Sequence, residues 1–114
     1  MHNTEVEEAL LFSIINEPSN LDVVKRWIET DDVFYNSFNK DIWKTVKRLD
    51  SKGEGIDMLS VSLNFPSNKY QERQVMYEIT SICTKEATSS RAEYYAMQLH
   101  DYWLRRRMVE HSHT

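Results

Sequence analysis

The sequence has few of the residues that interrupt regular structure. Its 114 residues include two glycines and two prolines, whereas an all-β fold needs frequent turn residues between its strands. Leu, Ile, Val, Lys and Glu are abundant instead, which favours helix. Four Phe, six Tyr and three Trp can fill one core, so disorder is excluded as well. The composition therefore predicts an all-α protein with a single domain over residues 1–114.

Cysteine and long apolar runs are also scarce. The single cysteine, Cys83, cannot form an internal disulfide, and we interpret it as a small apolar side chain on a helix face. No apolar run is long enough to cross a membrane, and the N-terminus lacks a basic and then apolar signal-peptide pattern. These absences predict a soluble, cytoplasmic protein that does not contact a membrane.

Positive charge is not in excess. The chain has 14 Lys and Arg against 18 Asp and Glu, a net charge of −4, so strong direct nucleic-acid binding is not expected. We interpret the basic cluster at 105–107 as the cationic last turn of a helix, which faces the negative end of the helix dipole. The acidic residues Glu5, Glu7 and Glu8 are interpreted as a solvated first turn.

The motifs of catalysis and cofactor binding are missing. Gly53 and Gly55 are the only glycines, and no Lys-Ser or Lys-Thr follows them at Walker spacing, so this segment is not expected to bind ATP or magnesium. His111 and His113 lack a third metal ligand. Ser, His and Asp occur without a catalytic signature. The aromatic residues around Phe34 to Trp43 have helical spacing and are interpreted as core.

Apolar spacing and capping signals predict six helices. The first begins at a capping box formed by Thr4 and Glu7. The predicted spans are about 4–16, 20–28, 36–52, 57–63, 68–83 and 90–110. We expect the first four helices to form a compact orthogonal bundle, and the last two to form an antiparallel hairpin over about 68–110.

The last predicted helix carries more apolar surface than one core can cover. It opens at a capping box of Ser90 and Glu93 and can extend about 30 Å. One broad face holds Ala92, Tyr95, Ala96, Leu99, Tyr102 and Trp103. Tyr94, Met97 and Leu104 lie over the sides of that face. Surplus apolar surface of this kind indicates a protein partner.

Three stretches of the chain carry a resemblance to a known family. The first is the acidic, Ala- and Leu-rich helix 5–15. The second is Asp32-Val33-Phe34-Tyr35-Asn36, followed by Ile42-Trp43 and by Gly53-Glu54-Gly55-Ile56-Asp57. The third is Ala92-Glu93-Tyr94-Tyr95-Ala96 with Arg105-Arg106 downstream. In their order and spacing, which cover nearly the whole chain from about residue 4 to 110, these stretches resemble the N-terminal domain of DnaB-type replicative DNA helicases from bacteria or phages.

The resemblance implies a non-catalytic collar domain of a longer helicase. Such domains pair through helical hairpins, three pairs form a ring, and the collar docks primase and sometimes a helicase loader. ATP and magnesium would bind in a RecA-like C-terminal domain that is absent from this chain. Two alternatives are the helicase-binding domain of a primase and a small helical DNA-binding regulator. The predicted hairpin contacts and pairing surface draw on Met76, Ile79, Cys83, Tyr95, Leu99, Tyr102 and Trp103.

Overall fold

Six α-helices make up the fold in the residues that the structure, a computed structural model, describes: 3–66, 68–84 and 89–112. They are α1 (Thr4–Asn16), α2 (Leu21–Trp27), α3 (Ser37–Ser51), α4 (Met58–Leu63), α5 (Glu72–Cys83) and α6 (Ala92–Ser112). Short 3-10 turns lie at Pro18–Asn20, Asp31–Val33 and Ser89–Arg91. These ranges contain no β-strand, so the all-α prediction is confirmed.

Local capping chemistry sets several helix boundaries. Asp57 accepts a hydrogen bond from the Ser60 backbone N–H at 2.7 Å, and the Ser60 hydroxyl accepts one from the Asp57 N–H at 3.0 Å, so α4 begins where predicted. Gly53 has a φ of 70°, the left-handed conformation that ends α3. The predicted Thr4 cap is wrong. Asn3 caps α1 by accepting from the Val6 N–H at 3.0 Å.

Helix α1 lies at the centre of the packing and contacts α3, α5 and α6. Leu10, Leu11 and Ile14 are fully buried, and Ile15 is nearly so. Adjacent residues of a helix point about 100° apart. A single neighbouring helix therefore cannot bury both Leu10 and Leu11. The apolar character of α1 on several sides therefore reflects neighbours on several sides.

The two helices of the expected hairpin share α1 as their common neighbour. Helix α5 packs on α1 and α4, whereas α6 packs on α1 and α2. Both contribute to one continuous core, α5 through Val75, Ile79 and Ile82 and α6 through Ala92, Ala96 and Leu99. Both helices of the expected hairpin therefore pack on α1, which joins them to the rest of the core. Residues 85–88, which connect them, lie outside the described ranges.

Candidate protein-interaction site

One side of α6 is anchored firmly to the domain. Ala92, Ala96 and Leu99 are buried, and their spacing places them on one helical face. At the edge of this face, the Trp27 indole N–H donates to the Glu93 carboxylate at 3.2 Å. The predicted capping residue Glu93 therefore ties α6 to α2 through its side chain. These contacts hold the first half of α6 in a single orientation.

The opposite side of α6 exposes large apolar side chains. Tyr94, Met97 and Leu104 are 46%, 44% and 42% exposed, and Met108 is 70% exposed. At 100° per residue they fall within one stripe, together with Asp101. We call these five residues the outer face of α6. Because their side chains are large and contiguous along the helix, this surface has the properties of a protein contact.

The residues predicted for self-association divide into three groups. Ile79 and Leu99 are fully buried core residues and are therefore unavailable to a partner in the folded domain. Met76 is 37% exposed on α5. The others are half-buried and pack against the core: Cys83, Tyr95, Tyr102 and Trp103. The outer face instead contains Tyr94, Met97 and Leu104, which the sequence analysis placed at the sides of the broad apolar face. Met108 extends this row of exposed apolar side chains.

The arginine cluster does not form a last turn, because α6 continues to Ser112. That interpretation was wrong. The Arg106 guanidinium donates from Nη2 to the carbonyl oxygens of Asp32 at 3.0 Å and Val33 at 3.2 Å. It also lies 5.4 Å from the centre of the Tyr35 ring. Arg106 therefore fastens the second half of α6 to the loop between α2 and α3.

The neighbouring arginines also have protein contacts. Arg105 binds Asp101 one turn earlier, with 2.9 Å between Nη2 and Oδ2, and the Arg107 guanidinium lies 5.0 Å from the Trp103 ring centre. Both side chains stay exposed, so these contacts orient the guanidinium groups along α6 without burying them.

Glu7 is fully buried, so its interpretation as a solvated residue was wrong. Its carboxylate accepts hydrogen bonds from the backbone N–H groups of Tyr35 at 2.7 Å and Asn36 at 3.3 Å. The side-chain amide of Asn39 donates a third at 3.1 Å. Glu7 thereby joins α1 to the start of α3 and holds the same loop that Arg106 contacts.

The aromatic group predicted as core is divided. Phe34 and Trp43 are fully buried and their ring centres lie 5.6 Å apart. Phe38 is half-buried. Tyr35, in contrast, is 57% exposed because its backbone, rather than its ring, is held by Glu7. The motif Asp32-Val33-Phe34-Tyr35-Asn36 therefore alternates between core, surface and the N-cap of α3, where Asn36 accepts from the Asn39 N–H at 3.0 Å.

A second buried carboxylate lies on α3. Asp41 is 4% exposed and accepts a hydrogen bond from the Tyr70 hydroxyl at 2.9 Å. Lys69 approaches the same oxygen at 3.5 Å. Burial, and then the hydrogen bond and negative charge of Asp41, raise the pKa of Tyr70. Burial likewise raises the pKa of the Cys83 thiol, as expected for a half-buried cysteine.

The rest of the described surface has one open groove beside α6. An open groove of about 760 Å³ lies between residues 29–35 and the second half of α6, and its lining mixes acidic and basic side chains. The described ranges contain no cluster of three or more residues suited to hold a metal ion. None of the described helices is both long and apolar enough to cross a membrane.

The described residues thus form an all-α domain with an exposed apolar face on α6. Comparison with known proteins identifies which one. The model of the DnaB-like helicase N terminal domain matches residues 1–101, and the chain therefore belongs to that family. The resemblance found in the sequence is confirmed.

Two curated relatives and one solved structure illustrate the similarity. The replicative DNA helicase DnaC of Bacillus subtilis (strain 168) is 27% identical over 114 residues, which cover 98% of this chain and 25% of that protein. The replicative DNA helicase DnaB of Rhodothermus marinus is 28% identical over 110 residues, covering 93% and 11%. The chain thus spans a quarter or less of these relatives.

The crystal structure of the N-terminal domain of DnaB helicase from Mycobacterium tuberculosis has the same fold. It superposes with a TM-score of 0.86 at 19% identity, covering 96% of this chain and 79% of that one. At this identity the likeness concerns the fold alone.

Proposed function

We propose that this chain is the non-catalytic N-terminal domain of a replicative DNA helicase and that it self-associates through the outer face of α6. The observation that carries the proposal is the row of exposed Tyr94, Met97, Leu104 and Met108 side chains on a helix whose other side is anchored. Covering such a row removes apolar area from water, at about 25 cal/mol per Å². A second copy offers the same row, as a symmetric dimer requires.

The family suggests the remaining parts of the function. In the intact protein, pairs of these domains would form a collar above a RecA-like ATPase domain, which would bind ATP and magnesium. The collar would dock primase and a helicase loader during DNA replication. The relatives described above are replicative helicases, which favours a helicase over a primase as the parent protein. A Walker motif encoded downstream of Thr114 would agree with this proposal, and a primase core encoded upstream would contradict it.

Light scattering and sedimentation velocity of the 114-residue chain test self-association. We expect the mean mass to rise from monomer to dimer across the micromolar range. Met97→Glu and Leu104→Glu each place a charge in the contact and should raise the dissociation constant by at least tenfold. Leu63→Glu is the matched control, since Leu63 is 67% exposed on α4 and lies outside the outer face.

A strictly monomeric chain at all concentrations would contradict the proposal, as would equal effects of all three substitutions. Circular dichroism of each variant shows whether the fold is retained, because the altered side chains are exposed. Primase docking is measured separately by calorimetric titration of the chain with a bacterial primase. If the titration gives no heat and the two proteins do not co-elute, primase docking is removed from the proposal. The proposed self-association is unaffected by that result.

A further inference from the structure

The inward row of α6 ends in a charged residue. Positions 92, 96, 99, 103 and 106 are four, three, four and three residues apart, so they lie along one side of the helix. Ala92, Ala96 and Leu99 are buried, and Trp103 packs against the core. Arg106 continues the row but contacts backbone oxygens instead of apolar side chains. The first half of α6 is therefore held by apolar packing, whereas the row closes on a polar contact.

The burial pattern shows how much depends on that contact. Among the described residues 104–110, which form about two helical turns, Arg106 is half-buried and the other six are exposed. An open groove of about 760 Å³ lies between this part of α6 and residues 29–35. Helical turns that bury no apolar face are only marginally stable in water by themselves. The position of these two turns therefore depends largely on Arg106.

The loop that accepts the hydrogen bonds of Arg106 is held mainly by other contacts. Its 3-10 turn, Asp31–Val33, is followed by Phe34, and both Val33 and Phe34 are fully buried. Two lysines of α3 form ion pairs with the two aspartates of the turn. Glu7 binds the two backbone N–H groups that come after Phe34. The acceptor carbonyls therefore keep their place in the fold when the guanidinium is not bound.

We propose that Arg106 is a latch that fixes the end of α6. In the closed state its guanidinium donates to the carbonyl oxygens of Asp32 and Val33 and lies against the Tyr35 ring. In the open state these hydrogen bonds are exchanged for bonds to water, and residues 104–112 leave the loop. Because Tyr35 is 57% exposed, water reaches the contact, and opening uncovers no part of the apolar core. Such an exchange has a small net free energy, so both states are accessible.

The latch controls a direction. The proposed function has an ATPase domain after this helix, and in such a protein the end of α6 would set the direction in which the chain continues towards that domain. A closed latch holds one direction, and an open latch allows many, as in other transitions between an ordered and a disordered segment. This consequence rests on the proposed function. The latch itself depends neither on that function nor on self-association.

Distances between two spin labels, measured by pulsed electron paramagnetic resonance on the 114-residue chain, test the latch. The background variant is Cys83→Ser, which removes the native thiol. One label is placed at Lys44→Cys, an exposed position of α3. The second is placed either at Glu110→Cys, beyond the latch, or at Met97→Cys, in the anchored half of α6. Labelled chains are diluted into an excess of unlabelled chain, so that each distance is measured within one copy.

Arg106→Ala should broaden the distance distribution between positions 44 and 110 by about twofold and leave that between 44 and 97 unchanged. Amide hydrogen exchange of residues 104–110 should become about tenfold faster in the same variant. Arg107→Ala is the matched control, because Arg107 is exposed on the same turn and its ring contact is with Trp103 of its own helix. It should change neither measurement.

An unchanged distribution between 44 and 110 in Arg106→Ala would overturn the latch. Broadening at both label pairs would mean that the whole domain has loosened, and equal effects of the two alanine substitutions would mean a general loss of charge; each result would also overturn it. The oligomeric state is a separate measurement. A monomer in light scattering would contradict the proposed self-association, whereas the distances alone decide the latch.

Discussion

Removing the Glu7 carboxylate should destabilise the domain more than removing any other acidic side chain of the first turn of α1. Glu7 is fully buried and accepts from Tyr35 N, Asn36 N and Asn39 Nδ2 at 2.7, 3.3 and 3.1 Å. Glu7→Ala leaves these donors without their acceptor at the junction of α1 and α3. Water cannot easily replace the carboxylate there, because the side chain has no exposed surface.

The expected size of the effect follows from the groups involved. A buried donor that loses its partner costs about 1–3 kcal/mol, and the cavity left by one methylene and the carboxylate adds about 1 kcal/mol. The variant no longer has to bury a charged carboxylate, and the desolvation energy saved offsets part of this cost. We expect a net loss of about 3 kcal/mol for Glu7→Ala, a large part of the roughly 5–15 kcal/mol that stabilises a typical domain.

Glu7→Gln separates hydrogen bonding from packing. It preserves the shape and one acceptor oxygen, but its NH₂ group faces a donor, so we expect a loss of about 1–2 kcal/mol. Urea unfolding followed by circular dichroism measures both variants. Glu5→Ala is the control, because Glu5 is exposed in the same turn and should change stability by less than about 0.5 kcal/mol. If Glu7→Ala were as stable as the control, the assigned network would be refuted.

Three further predictions concern other contacts. Arg106→Ala should cost about 1–2 kcal/mol in urea unfolding and speed hydrogen exchange in residues 31–36; unchanged exchange would contradict the assigned contact. The pKa of Tyr70 is raised in the folded state, so the folded chain holds the phenolic proton more tightly than the unfolded chain does. The resulting contribution to the free energy of unfolding is fully present below the ordinary pKa of about 10. It is lost as the pH rises through the raised pKa. Tyr70→Phe should therefore show a smaller alkaline loss of stability than the native chain, and an equal loss would contradict the prediction. Since burial raises the pKa of Cys83, its thiol should react with a disulfide reagent at pH 8 at least tenfold more slowly than free cysteine, whereas an equal rate would mean an exposed thiol.

The residues predicted for self-association form a mixed set in the structure, some of them buried in the core and others partly exposed. A helical period identifies which residues share a face, and it correctly grouped Ala92, Ala96 and Leu99. It does not say which face a neighbour covers. Tyr95, Tyr102 and Trp103 are half-buried because α1, α2 and the loop at 31–33 lie beside them, and these neighbours are distant in sequence.

Buried carboxylates are a second point on which the structure differs from the sequence-based prediction. Glu7 and Asp41 occur in stretches whose neighbouring charges suggest solvent exposure, and no local signal distinguishes them from exposed carboxylates. Their burial depends on partners that are 28 to 32 residues away for Glu7 and 29 residues away for Asp41 through Tyr70. A carboxylate is buried only where such donors satisfy it, and that condition exists only in the assembled fold.

The sequence alone determined what local chemistry and helical spacing can determine. The end of α3 near Gly53 and the start of α4 at Asp57 depend on interactions within a few residues, so the spans of these helices could be predicted. The ordered motifs also identified the family. Only the tertiary structure decided that α5 and α6 both pack on α1, that Arg106 fastens α6 to the loop, and that Tyr94, Met97, Leu104 and Met108 remain exposed. Burial is a property of neighbours brought together by folding, and the chain does not encode it one residue at a time.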